Sequence, residues 1–486
     1  MKKSIAKNSL FNVAYKLLNV LFPLVTSVYL ARVLLPEGVG KVGYAQNLLS
    51  YFLVFATMGI PNYGAREIAR AGENRERSDK LFTELFLMNG TSTVIWSAIY
   101  LLLIYTIPGL RTQWQIFLAV GLQLFLNIFN VDWYYTGKEE FVYITVRSTV
   151  IKVISIVCIF LFIKDKEDLV LYATINALAI TGNYLFNIYN LRGRVKLCFH
   201  ELNFLQHIKP VIILMFTILA TDVYNQVGIT IMGFFCTDAD IGYYTYAVKL
   251  IIIVTSVSVA IAGTTLPRVS QYYGNQKTTD FDRLINRTLE VMLILAIPCM
   301  VGLWLVGNDA VLVLFGDMFL PTVEILRIAA PVIIIVVVSY EFGPIVLTAT
   351  NNERYLLAAT ACGAFANVAA NMLLVPQFAG RGAAIAYLCA EITVLLVHVH
   401  YGKRYADFKI KRREIFSMLC ASGVMIIIVF IIQNMLHNSA LLRLGMSVAL
   451  GAGGYGLTLL LMKNQMAIEI LKKVRADRMP LIKKLM

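Results

Sequence analysis

The chain of 486 residues is 58% hydrophobic and 15% charged, with a formal net charge of +14. Soluble domains run at roughly 45–50% apolar and about 25% charged residues, so this composition excludes a soluble globular protein and makes lipid the expected solvent. The basic excess does not describe a nucleic-acid partner either, because the lysines and arginines sit on short connections between apolar stretches.

From near Leu10 to Met462 the apolar stretches follow one another, about 14 in all, each close to the roughly 20 residues that cross a hydrocarbon core. The expected fold class is therefore an all-α polytopic membrane protein. The first stretch begins behind Lys2, Lys3 and Lys7 and runs from about Leu10 to Leu35. That exceeds the roughly 7–15-residue core of a secretory signal and lacks a small-residue cleavage site, so it is expected to remain as the first span. Span two is followed by Arg66, Arg70, Arg75, Arg77 and Lys80. Span twelve is followed by Lys403, Arg404, Lys409, Lys411, Arg412 and Arg413, and the tail carries Lys472, Lys473, Arg475, Arg478, Lys483 and Lys484. With the amino end in the cytoplasm, about 32 of the 43 lysines and arginines fall on cytoplasmic connections and tails, the bias of the positive-inside rule. Both termini are thus expected in the cytoplasm, with the basic clusters against anionic lipid heads.

A repeat organises the spans. Gly40, Tyr44, Ala45 and Leu48 after span one recur as Gly242, Tyr246, Ala247 and Leu250 after span seven, and Arg66 recurs as Arg268. An even number of crossings separates the copies, which makes this a parallel repeat about an axis along the membrane normal. It predicts two pseudo-symmetric six-helix lobes, residues 1–200 and 201–405. Residues 406–486 then hold two extra helices and a basic tail.

Signals for covalent chemistry are missing. The seven cysteines are scattered, with no CxxC spacing, and read as small core residues. His398 and His400, two apart, point in different directions on a helix. Gly451, Gly453 and Gly456 fit G-x-G-x-x-G, but inside an apolar span they suit close helix packing better than a dinucleotide site. No metal site and no cofactor are expected.

Five segments carry a resemblance to a known family. They are LARVLLPEGVGKVGYAQNLLSYF with MGIPNYGAREIAR (Met58 to Arg70), VDWYYTGKEEFVYITVRS from Val131, NQVGITIMGFFCTDADIGYYTYAVKL from Asn225, LPRVSQYY from Leu266 and NVAANMLLVPQFAGRGAAIAYLCAEI from Asn367. In this order, over most of the chain, they resemble the bacterial polysaccharide (Wzx-type) flippases of the MOP exporter superfamily. The resemblance implies a two-lobe, fourteen-helix transporter in the bacterial cytoplasmic membrane, serving capsule, exopolysaccharide or O-antigen biosynthesis. Its implied cargo is an undecaprenyl-diphosphate-linked oligosaccharide, moved from the inner to the outer leaflet. That family's cationic cavity has no strict residue motif, so the site is argued from this sequence.

A charge near the bilayer centre costs at least about 2.5–3.5 kcal/mol and usually faces a cavity or a partner. Asp222 lies about twelve residues into span seven, roughly 18 Å deep at 1.5 Å per residue, beyond the reach of a short carboxylate to either surface. Glu391 in span twelve and Glu341 in span ten are also deep, and the three carboxylates are candidates for coupling transport to H+ or Na+. Lys16, Lys152, Lys249 and Arg327 lie closer to span ends, where long cationic side chains can snorkel. Lys16 and Lys249 fall on the repeat-related hairpins, accompanied by Asn19, Asn47, Asn225 and Gln226. A polar cavity between lobes would explain the grouping, with lysines as point charges for phosphate and amides replacing the water of the sugar.

Such a cavity need only shield a head group that cannot enter hydrocarbon, while the polyprenyl tail stays in lipid. Export of another substrate, a peptidoglycan lipid precursor or a cationic drug, is the alternative within transport. A membrane polysaccharide polymerase would need acid–base residues on a loop or in a deep pocket, and the longest external connection, about residues 308–321, offers only Asp309 and Asp317 as carboxylates. The expected partners are the lipid-linked oligosaccharide, membrane lipids, a coupling ion and polysaccharide assembly machinery, with no enzymatic activity.

Overall fold

The computed structural model describes residues 5–409, 411–436 and 439–472, with side chains from Val25 onward. Helices account for nearly all of it, and there is no strand among the described residues. Ten helices among them are long and apolar enough to cross a membrane. Leu102, Leu161, Phe186, Phe365, Leu373 and Phe430 are each more than half exposed. An exterior clad in large apolar side chains is tolerated where hydrocarbon, not water, surrounds it. The cysteines follow the same logic and correct an expectation. They are not core residues: Cys299, Cys362 and Cys389 are exposed and the other four are half-buried, because lipid tails are as apolar as a protein interior and leave no hydrophobic drive to turn an apolar side chain inward.

The chain forms two compact units, residues 1–242 and 243–486. The first contains α1 (Ile5–Thr57), α2 (Ile60–Ala71), α3 (Arg75–Thr106), the single turn α4 (Pro108–Arg111), α5 (Trp114–Phe125), α6 (Asp132–Gly137), α7 (Phe141–Phe162), α8 (Leu169–Leu191), α9 (Leu205–Phe235) and the start of α10 (Asp238–Gly274). α1 breaks at Leu35, with φ 58° and ψ 173°. Pro36 disfavours helical backbone in the residue before it, so the break divides α1 where the first apolar stretch was expected to end. α2 is amphipathic: Tyr63, Gly64, Ile68 and Ala71 are buried, while Arg66 and Arg70 stand exposed. Its buried face meets Leu81, Phe82 and Leu85 of α3 and Trp133, Tyr134 and Tyr135 of α6 in one core. A second core joins Leu49 and Phe52 of α1 to Tyr100 of α3 and Phe117, Val120 and Leu124 of α5.

The second unit continues with α11 (Thr278–Phe315), α12 (Thr322–Ala329), α13 (Val332–Tyr340), a π-helical turn (Glu341–Leu347), α14 (Arg354–Gly402), α15 (Arg412–Met435) and α16 (Ala440–Leu461). α14 breaks at Ala379, with φ 46° and ψ −127°. α15 and α16 form a hairpin held on α11 at both ends. At one end Arg443 Nε donates to both carboxylate oxygens of Asp309, at 2.9 and 2.8 Å, and Gln433 donates to the Leu305 carbonyl at 3.0 Å. At the other, Arg287 pairs with Glu469 in the segment that follows α16. The glycines of α16 serve helix packing, with a shift of detail. Gly451 rests on Val429 and Met425 and Gly454 on Ile428, whereas Gly453 and Gly456 have no neighbour within 4 Å of the position a Cβ would take.

Candidate functional site

The deep polar residues of the first unit line a seam between α1 and α9. Asp222, Gln226 and Thr230 follow one another at four-residue spacing and share a face of α9. Opposite them on α1 are Asn47, Ser50 and Tyr51. Asn47 Nδ2 donates to the carbonyl and side-chain oxygens of Gln226 at 2.9 and 3.2 Å, and its Oδ1 accepts from the Thr230 hydroxyl at 2.8 Å. The Tyr51 and Thr230 hydroxyls are 2.8 Å apart. Asp222 lies beside Ser50, whose hydroxyl donates to the Asn47 carbonyl at 2.8 Å. Each interhelical hydrogen bond of this kind contributes about 0.6 kcal/mol on average within a membrane, so the seam is a polar track of modest strength and not a rigid weld.

Beyond the track the backbones touch. A Cβ on Gly40 would stand 1.6 Å from the Asp238 carbonyl oxygen, and one on Gly242 would stand 2.2 Å from the Pro36 carbonyl oxygen. Only glycine permits either approach. The two contacts are reciprocal, since Pro36 and Asp238 are separated by the same interval as Gly40 and Gly242.

The sequence-derived site residues divide accordingly. Asn47, Gln226 and Asp222 come together on the seam, and Asn225 is exposed on another face of α9. Lys16 and Asn19 lie in α1 but outside the described side chains. Lys249, Glu391 and Glu341 belong to the second unit. The Lys249 ammonium sits 5.5 Å from the centre of the Tyr246 ring, which stacks on Phe315 at 4.5 Å. Glu391 is buried in α14, and Glu341 is completely buried in the π-turn. Of the cations nearer span ends, Arg327 lies over the Trp304 ring at 5.5 Å.

Sequence reasoning missed Ser50, Tyr51 and Thr230, although the spacing from Asp222 through Gln226 to Thr230 announces one polar helix face. It also missed a buried cluster at the start of α9. There Glu84 accepts from Asn203 N at 2.7 Å and from the Gln206 side chain at 3.3 Å. His207 bridges Glu84 and the Tyr63 hydroxyl at 2.8 Å on each side. This cluster fixes the connection between α8 and α9 to α2 and α3. Among the described residues no group of three metal-binding side chains gathers. An apolar cavity of about 760 Å³ lies in the second unit, bounded by Pro298, Gly302, Val306, Met425, Val429 and Tyr455 among others.

Comparison with known proteins places this geometry in context. The signature of a family described as "Polysaccharide biosynthesis protein" matches residues 5–273. A "Putative O-antigen transporter" of Escherichia coli (strain K12) is 22% identical over 418 residues, 81% of this chain and 95% of that protein. A "Probable low-salt glycan biosynthesis flippase Agl15" of Haloferax volcanii is 24% identical over 228 residues, 47% of this chain. The match spans about half of that relative's length, 48%. In structure the chain resembles "Lipid II flippase MurJ, inward closed conformation", with a TM-score of 0.75 at 16% identity over 95% of this chain and 99% of that one. At that identity the likeness establishes the fold.

Proposed function

Because the chain belongs to the polysaccharide biosynthesis protein family, we propose that it is a flippase for undecaprenyl-diphosphate-linked oligosaccharide repeat units. It carries the head group from the inner to the outer leaflet of the bacterial cytoplasmic membrane, by alternating access and with ion coupling. The observation that carries the reading is the polar track of Asp222, Gln226 and Thr230 against Asn47, Ser50 and Tyr51, set in helices whose surroundings are apolar. A protein that only scaffolds the membrane has no use for the half-buried carboxylate of Asp222 beside such a track, since a charge within a span is costly.

The proposed topology has fourteen crossings, both termini in the cytoplasm, lobes of residues 1–200 and 201–405, and a hairpin with its tail in 406–486. The reciprocal approach of Gly40 to Asp238 and of Gly242 to Pro36 supports the repeat, because i-to-j and j-to-i contacts are what a two-fold relation generates. Lys16 and Lys249 hold phosphate, one from each lobe and at different stages, and Asn19, Asn47, Asn225 and Gln226 serve the sugar. Asp222, Glu391 and Glu341 are the coupling candidates. Asn47 is fully engaged in this conformation, so contact with a sugar requires the track to part. The apolar cavity of the second unit suits a hydrocarbon chain that remains in lipid while the head moves.

The reading is tested in cells. Removing the protein should leave lipid-linked repeat units on the cytoplasmic leaflet and no polymer outside, and restoring it should clear them. Normal surface polymer without the protein contradicts the assignment.

A further inference from the structure

Of the six buried carboxylates among the described residues, Glu84, Asp309, Glu341 and Glu414 are the most deeply buried, at 3% exposure or less, and they differ in how they are satisfied. Glu84 accepts from a backbone amide, a glutamine and a histidine. Asp309 is held by Arg443 through two nitrogens, and Glu414 accepts from the Gln465 amide at 3.3 Å. Glu341 is wholly inaccessible, at 0% exposure, and neither of its oxygens has a hydrogen-bond partner among the described residues. A carboxylate anion in that position would lose its hydration with nothing to replace it, and a buried acid avoids this cost by taking up a proton. A hard metal cation draws in a shell of oxygen ligands, and among the described residues no group of three metal-binding side chains gathers around Glu341.

The backbone at this position is also unusual. Glu341 opens the π-turn Glu341–Leu347, which contains Pro344. Such turns interrupt the regular ladder and occur often at functional sites. The turn rests on α14 through His398, whose Nδ1 is 2.8 Å from the Ser339 hydroxyl and 3.1 Å from the Ser339 carbonyl. The other ring nitrogen of His398 is buried without a partner. Gly343 lies so close to that ring that a Cβ would stand 2.4 Å from Nδ1. Other titratable groups on the elements packed here include Tyr340, adjacent in sequence, Tyr387, Cys389, Glu391, His400 and Tyr401 in the half of α14 that carries His398, and Asp280, Asp282, Arg283, Arg287 and Glu290 in the first half of α11. Arg283 pairs with Asp280 and Arg287 with Glu469.

Resting on the reading that transport is ion-coupled, we propose that Glu341 is a proton-binding site and that the coupling ion is H+. The closed π-turn holds the neutral acid. When the turn opens to water on one side, the O–H bond of the carboxyl breaks, the proton passes to water and a hydrated carboxylate remains. Rebinding a proton from the other side restores the neutral acid that can be buried again.

The test combines infrared spectroscopy of the purified full chain in lipid with transport in liposomes. The wild type should show a carboxylic acid C=O band at neutral pH that Glu341→Gln removes. Glu341→Gln should move a fluorescent undecaprenyl-diphosphate sugar at a rate indifferent to the pH gradient that drives the wild type. A wild type without the band overturns the proposal, as does a Glu341→Gln variant as gradient-dependent as the wild type. If Glu341→Gln fails to insert, Glu341→Asp should shift the band, and an unmoved band overturns the assignment. A wild type that shows the band yet moves no lipid-linked sugar under any gradient overturns the transport reading, and the coupling role falls with it.

Discussion

The carboxamide of Asn47 gives its donors to Gln226 and its acceptor to Thr230, so its loss should be felt as lost helix association. Asn47→Ala is expected to lower stability by about 1–2 kcal/mol, read in detergent unfolding of the purified protein. Lys249 presents a different case, a cation lodged against Tyr246. Lys249→Ala and Lys16→Ala should each abolish export with insertion intact, and arginine at either position should rescue in part, since it keeps the charge but changes the geometry. Normal export by the double alanine variant would assign both lysines to snorkelling. These residues were legible because a charge within an apolar run stands out by itself. The Glu84–His207–Tyr63 cluster was not, because Glu84 follows closely on a basic connection and His207 opens a span, both ordinary places for solvated polar groups. Only the fold shows that the connection 192–204 is drawn over them.

At the scale of elements, the reciprocal glycine contacts and the α15–α16 hairpin make separable demands. Gly242→Ala introduces a methyl group where the Pro36 carbonyl already stands, so the helices must move apart or the variant loses stability. Gly453→Ala meets nothing within 4 Å and should be neutral or gain up to about 1 kcal/mol of helix propensity. Equal thermal shifts in the two variants would deny the close approach. For the hairpin, the partners are unequally exposed, Asp309 at 3% and Arg443 at 23% of the side chain. Arg443→Ala strands a buried carboxylate and should cost about 3–5 kcal/mol. Asp309→Ala leaves a cation that can still reach solvent and should cost less, a ranking that chemical unfolding of the two variants checks. The sequence announced that span fourteen packs through small residues but not which glycines do so. Three glycines matched a spacing, whereas packing selects by helix face, and Gly454, outside the matched pattern, is the one in contact beside Gly451.

For the whole molecule, the apolar stretches and their basic punctuation made an all-helical membrane fold readable from composition and spacing alone, and the helices of the structure follow them. The breaks at Leu35 and Ala379 were less legible than the stretches themselves: at each a single residue leaves the helical region and two helices meet end to end. The proposed topology places reporters fused after Gly109 and Met318 outside, and those after Asp79 and Lys409 inside. Inversion at two of these sites would contradict it. The polar track, the unpartnered Glu341 and the family membership converge on moving a charged head group across hydrocarbon, and one measurement addresses that claim directly. The purified protein is reconstituted in liposomes, and leaflet transfer of an undecaprenyl-diphosphate oligosaccharide is followed with and without a pH gradient. The account predicts transfer that needs the protein and accelerates when the gradient is imposed. Transfer no faster than in protein-free liposomes, under any gradient, would contradict it.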